Sequence, residues 1–359
     1  MEHPVTELVT GVDLVEQQLR VAAGERLSFT QDDVRLDGHA VEARVYAEDP
    51  ARGFLPTGGP ALLVREPAEQ GVRVDSSLVQ GIPVGTTYDP MLSKVIAWGP
   101  DRPTALARLD RALAGNVVLG VGTNTGFLRA LLRAPDVIAG RLDTGLIERE
   151  LDALVAGSGA PLEAYAAVAL HRLLSDPAGT DPWDAADGWR LSGRAARTLT
   201  VAGPDGAPLV LSLTGTQAGS RLRVGTAEPV AVRAEPLEDG LLLTVGDRTS
   251  QVRLATDGLT TWTHVDGGAH PVTELPATRA AAGAGAHDGD VLSPMPGAII
   301  SVPVSTGAAV VRGEVLVVVE AMKREHALTA PHDGQVETVD VRVGDQVHVG
   351  QLLVTVTRG

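Results

Sequence analysis

Cysteine is absent from the 359 residues, which removes disulfide frameworks, thiolate metal sites and cysteine nucleophiles from consideration. Lysine is almost absent: only Lys94 and Lys323 occur, against 28 arginines, so each lysine invites the question of what it does. Basic charge is in deficit, with 30 Lys plus Arg against 45 Asp plus Glu; a net charge of -15 repels phosphate backbones and anionic lipid surfaces, and neither nucleic acid nor a membrane is expected as a partner. No run of about 18 apolar residues occurs, and the opening MEHPVTELVTGVDL has no basic segment followed by an apolar one. A cytoplasmic protein is the default. The nine histidines show no HExxH or similar spacing, so no metal site is expected. Ser93 and the other serines lack a G-x-S-x-G setting. Asp32-Asp33 and Glu48-Asp49 read as solvated loop charges.

What is present is ordinary for a folded chain: 44% apolar and 21% charged residues. At about 150 residues per domain the length fits two or three domains. Leu8, Val12, Val15, Leu19 and Ala22 recur at steps of three and four, which predicts one amphipathic helix over residues 8–22. Short β-type runs follow to Ile96, and Leu and Ala return at helical spacing over Pro103 to Leu113 and Thr125 to Arg133, giving an α+β unit over residues 1–150. A second unit, 159–276, opens with a helix predicted at Leu162 to Leu174, with Leu162, Tyr165, Ala169 and Leu173 on its apolar face. Strand-like segments then recur about every ten residues, the pattern of an antiparallel barrel or sandwich. Residues 277–290, ATRAAAGAGAHDGD, have the composition of a flexible linker.

The sharpest signal lies in residues 291–359, which contain a duplication at a constant offset of 37. Pro294, Gly297, Ile299, Val302, Val304, Gly307, Val310, Gly313 and Leu316 match Pro331, Gly334, Val336, Val339, Val341, Gly344, Val347, Gly350 and Leu353. Neither half can bury a face alone, so the two should pack about a pseudo-two-fold axis as a small β-sandwich. Between them two strands must reverse over Ala321-Met322-Lys323-Arg324, with none of the Gly, Asn or Asp that tight hairpins use. Local rules are broken where function competes with stability. A lysine there, on a long flexible stem, is placed to carry a tethered group.

These residues carry a resemblance. SPMPG (Ser293 to Gly297), EAMK (Glu320 to Lys323) and APHDG (Ala330 to Gly334) resemble the biotin carboxyl carrier domain of biotin-dependent carboxylases. The resemblance implies a biotinyl/lipoyl-type β-sandwich (hammerhead) in which Ala321-Met322-Lys323 carries the biotin, on Lys323, and biotin protein ligase as a partner. Arg324 stands where Met or another apolar residue is usual. A lipoyl carrier is the nearest competitor, but it usually flanks its lysine with Asp and Ala.

Separately, EHPVTELVTGVDLVEQQLRVAAGERL, GHAVEARVYAEDP and YDPMLSKVIAWG resemble the C-terminal part of biotin carboxylase, the ATP-grasp component. That family implies Glu2 as the base acting on bicarbonate and Arg44 as the cation that stabilises the biotin enolate. Its phosphate loop, its nucleotide-binding lysines and its Mg²⁺ carboxylates would lie before Met1, which occupies a family Val position. The expectation is therefore an N-terminally truncated frame, in which ATP and Mg²⁺ belong to the complete enzyme and the polypeptide alone does not carboxylate biotin. PWDAADGWRL (Pro182 to Leu191), with Trp183 and Trp189 as core or interface anchors, resembles the entry to the BT domain of the methylcrotonyl-CoA carboxylase group. This implies docking to a carboxyltransferase β subunit, which selects the acyl-CoA; methylcrotonyl-CoA is favoured, with acetyl- and propionyl-CoA as alternatives. A carrier and docking module without carboxylase activity is the rival reading.

Overall fold

The computed structural model describes residues 2–85, 89–157, 159–175, 189–190, 193–216, 219–275, 289–321 and 324–358. Trp183, the side chain of Trp189, Met322, Lys323 and the stretch 276–288, which holds most of the expected linker, lie outside the described residues.

Two helices, His3–Thr10 and Leu14–Ala22, stand where the spacing predicts one. Gly11 caps the first in the left-handed conformation and the Asp13 carboxylate accepts from the Glu16 N–H to start the second, so local capping overrides the apolar stripe. Val15 and Leu19 of that stripe are exposed. Behind the helices a three-stranded antiparallel sheet runs in the order His39–Tyr46, Met91–Gly99, Val72–Ser76. Period-two alternation sends Ala43 and Val45 into a core shared with Leu109, Ala112 and Leu113 of the helix Arg102–Gly115, and turns Glu42, Arg44 and Tyr46 to the opposite face.

The second unit is an eight-stranded antiparallel meander from Arg197–Ala202 to Gly268–Thr273, nearly closed where Val201 bridges to Glu274 and the Leu275 N–H donates to the Thr200 carbonyl. Closure removes exposed sheet edges. The helix Leu162–Leu174 forms where the sequence places it, but it does not present a single face: Ala164 through Leu170 and Leu173 are all buried, surrounded by Leu211, Leu222, Leu243 and Val252 from the strands. A helix apolar on every side belongs in a core. Its run of alanines lets strands approach on all sides, which a one-stripe reading overlooks.

Burial also sets the acid sensitivity of this unit. It pushes the His264 imidazole down to about 4, with His270, Arg129 and Arg253 adding repulsion and Asp266 opposing them; burial lowers His171 and His270 too. A base whose folded pKa lies below its unfolded value of about 6.5 binds fewer protons in the native state, so the stability present above pH 6.5 is lost as pH falls toward 4. For His264 the loss approaches about 3 kcal/mol. His264→Gln should therefore lose several degrees less melting temperature than the parent chain between pH 7.5 and pH 4.5. Equal losses would refute this.

In the last unit the 37-residue repeat becomes geometry. Two four-stranded sheets have the orders Asp290–Leu292, Leu352–Thr357, Gly334–Val339, Ala309–Val310 and Arg324–Thr329, Val315–Ala321, Gly297–Ser301, Gln346–Val347. Shifting by 37 turns one order into the other. The Gly307 N–H donates to the Val336 carbonyl and the Gly344 N–H to the Ile299 carbonyl; Gly313 donates to Ala330 and Gly350 to Ser293. Each half thus holds the other's turns. A Cβ on Gly297 would run into the Glu320 carbonyl, and one on Gly334 into the Thr357 carbonyl, which explains that glycine pair. Among the described residues no helix is long and apolar enough to cross a membrane.

Candidate functional site

Glu2 stands at the N-cap position of His3–Thr10, where the partial positive charge of the helix end favours a carboxylate. It does not cap its helix. One carboxylate oxygen pairs with Nη2 of Arg44 and the other lies 2.8 Å from Nζ of Lys94. Arg44 and Lys94 are cross-strand partners in the antiparallel register. Like charges directly opposite repel, and the Glu2 carboxylate between them makes the arrangement tenable. Arg44 also donates to the Tyr46 hydroxyl at 3.4 Å.

Beneath this triad lies Glu42, two residues before Arg44 on the same face. Its side chain is 6% exposed, Arg44 Nε stands 3.9 Å from it, and neither of its oxygens has a hydrogen-bond partner among the described residues. Burial pushes its carboxyl above the ordinary range, and the Lys94 and His3 charges oppose the rise. Glu2, Glu42, Arg44 and Tyr46 border a cavity of about 690 Å³ with apolar walls that include Leu106, Leu131 and Val137. A carboxylate held between two cations beside an apolar cavity has the parts needed to take a proton and to stabilise an oxyanion.

The sequence names Glu2 and Arg44, and the structure brings them into contact. Lys94 and Glu42 are additions. Their signal was available in the scarcity of lysine and in the i, i+2 spacing to Arg44, but only the strand register joins Lys94 to the other two.

The third unit meets the first beside a turn of unusual backbone. Gly53 and Phe54 both adopt left-handed conformations, at φ 68° and 60°. For Phe54 this costs about 1 to 3 kcal/mol, and its ring meets Phe127 edge to face at 5.2 Å. Arg52 Nη2 donates to the Pro294 carbonyl at 3.1 Å, Arg324 Nη1 donates to the Phe54 carbonyl at 3.2 Å, and Leu55 packs on the core of the third unit. Glu48, expected as a solvated charge, is instead buried here. Burial raises its carboxyl and Arg324 partly offsets the rise. Asp49 caps the turn by accepting from the Ala51 N–H at 3.1 Å. Ala321 is buried at the end of its strand and paired with Arg324, so the strands flanking Met322 and Lys323 are held in register.

Comparison with known proteins agrees with this layout. A family model for the biotin carboxylase C-terminal domain matches residues 42–149. A model for the BT domain of the methylcrotonyl-CoA carboxylase alpha subunit matches 161–277, and one for biotin-requiring enzymes matches 289–356. Residues 1–30 match the ATP-binding domain of the carbamoyl-phosphate synthase L chain. The mitochondrial methylcrotonoyl-CoA carboxylase subunit alpha of Mus musculus is 31% identical over 97% of this chain and 51% of its own length. The propionyl-CoA carboxylase alpha chain of Ruegeria pomeroyi is 35% identical over 98% of this chain and 56% of its own. The biotin carboxylase domain of 2-oxoglutarate carboxylase from Hydrogenobacter thermophilus aligns over 43% of this chain and 34% of that one, at 36% identity and TM-score 0.42. The chain spans about half the length of the curated relatives it matches. Over nearly all of its length it is homologous to the alpha subunits of biotin-dependent acyl-CoA carboxylases, and it carries in order a biotin carboxylase C-terminal domain, a BT domain and a biotinyl/lipoyl-type domain.

Proposed function

We propose that this chain serves an acyl-CoA carboxylase by carrying CO₂, on biotin attached to Lys323, from a biotin carboxylase site that includes Glu2 and Arg44 to a carboxyltransferase β subunit. The observation that carries the reading is the two-fold carrier unit. Its half-domains meet at the Ala321–Arg324 pair, which brackets Met322-Lys323, and that unit rests on the same domain that holds the Glu2–Arg44–Lys94 triad. Biotin supplies a ureido nitrogen that accepts and releases a carboxyl group.

The chain's own residues supply the rest. Glu2 accepts a proton from bicarbonate. Arg44, permanently charged and forked, faces the developing oxyanion, and Lys94 keeps Glu2 oriented. Biotin protein ligase would install the biotin, and ATP with Mg²⁺ would act in the ATP-binding domain, a part of which residues 1–30 match. The BT barrel would dock the β subunit, which would choose among methylcrotonyl-, propionyl- and acetyl-CoA; methylcrotonyl-CoA is favoured by the BT match. A cytoplasmic location fits a chain of this composition. Intact mass after expression with biotin ligase tests the carrier assignment: the gain of one biotinyl group supports it, whereas a lipoyl group or no gain overturns it. Retention of the β subunit by the immobilised chain, and its loss when the barrel unit is replaced, tests the docking role.

A further inference from the structure

Between the first unit and the barrel lies a cleft of about 720 Å³ that plays no part in the reading above. Next to it Leu63, Val117 and Leu119 pack on Ala255, Trp262 and Ala269 across the boundary, and of these Val117 reaches the lining. Its lining includes Arg65, Arg129, Arg133 and Arg253, in a molecule whose net charge is -15. The four guanidinium groups share two carboxylates. Arg129 and Arg133 both pair with Asp110, at 3.0 and 2.8 Å, and Arg65 and Arg253 both pair with Asp239. Asp266, also on the lining, is taken up by Arg248, whose Nη2 reaches both of its oxygens at 2.7 Å. Each pair of arginines therefore keeps one positive charge in excess. Beside them His264 is 8% exposed, and its Nε2 has no hydrogen-bond partner among the described residues. A buried polar atom left unmatched costs about 1 to 3 kcal/mol, so an external group that bonds to it recovers free energy.

We propose that this cleft is a binding site for a small phosphate-bearing anion. Phosphoryl oxygens match the planar fork of arginine, and two cationic pairs converging on one cleft suit a di- or polyphosphate better than a single carboxylate. The volume accommodates a molecule of nucleotide or coenzyme size. The ligand would span the seam between the biotin carboxylase domain and the barrel and tie the two together.

Calorimetric titration with pyrophosphate, at low and at physiological salt, tests the site on the full chain. One equivalent should bind, more weakly as salt rises. The double variant Arg65→Gln/Arg133→Gln removes the more exposed cation of each pair and leaves Asp239 and Asp110 with Arg253 and Arg129, so the fold is retained. It should weaken binding about a hundredfold, from the loss of two charge-assisted bonds. His264→Gln should weaken it less. Parallel titrations with ADP and coenzyme A identify the source: tighter binding than pyrophosphate assigns a nucleotide or coenzyme, and equal binding assigns the free anion. No binding at millimolar pyrophosphate, or equal affinity in the double variant, overturns the proposal. Lys323→Arg should bind as the parent chain does, so the result stands apart from the biotin assignment.

Discussion

Lys323→Arg should yield a folded chain that streptavidin no longer detects and whose assembly with the β subunit forms acyl-CoA carboxylation product only at assay background. The substitution keeps the positive charge. It falls in sequence between the paired strands Val315–Ala321 and Arg324–Thr329, not within them, so the ladder that holds Ala321 opposite Arg324 is untouched. The carrier core of Met295, Ile299, Leu316 and Leu353 is untouched as well. Far-UV circular dichroism and the melting temperature should therefore match the parent. What is lost is chemical: biotin attachment requires an amide-forming amine, and a guanidinium is a poor nucleophile that stays protonated at any working pH. Lys94, the other lysine, is engaged by Glu2 and buried to a large degree, so it offers no substitute. Retained streptavidin reactivity would show that another site is modified. Retained carboxylation without biotin would overturn the carrier mechanism itself.

How much of this was legible in the sequence depends on how local the cause is. The carrier sandwich was readable because its symmetry is written twice at one offset, and Gly297 and Gly334 repeat because the strands Val315–Ala321 and Leu352–Thr357 press on them in the same way. The barrel was readable from strand spacing, but the fate of the helix inside it was not. The apolar spacing over Leu162–Leu174 marks one stripe, although its other side is Ala and Val and equally able to be buried. The split of the first helix at Gly11 is hidden in the sequence because the apolar period continues past a residue that local capping turns into a stop. At the site, Glu2 and Arg44 could be named from their motifs, whereas Lys94 lies fifty residues from Arg44 and becomes its neighbour only through the register of His39–Tyr46 on Met91–Gly99. Glu48 reads as a loop charge because nothing in its own segment reveals that it will be buried within the charge field of Arg324 from another unit.

Arg44→Ala should lower the rate of biotin carboxylation about 10²- to 10³-fold, the usual loss for one preorganised oxyanion donor, when measured in an assembly complete in its ATP-binding lobes. The fold should survive. Arg44 projects from the side of its strand opposite the core, and Lys94 at 2.8 Å continues to neutralise Glu2 after the guanidinium is gone. The loss should fall on kcat more than on KM, because the cation acts on charge that develops during the reaction and not on the bound ground state. Arg44→Lys should recover little. An ammonium on that strand would keep the charge but lose the fork that reaches Glu2 and the Tyr46 hydroxyl together, and it would stand directly opposite Lys94 with fewer bonds to hold it in place. Glu2→Gln separates the two roles: it leaves both cations with a neutral partner, so the rate should fall while its dependence on pH flattens on the acidic side, where the carboxylate would otherwise be titrated. A kcat for Arg44→Ala within threefold of the parent would remove Arg44 from the chemistry and leave the triad a structural ion pair between a helix end and a sheet.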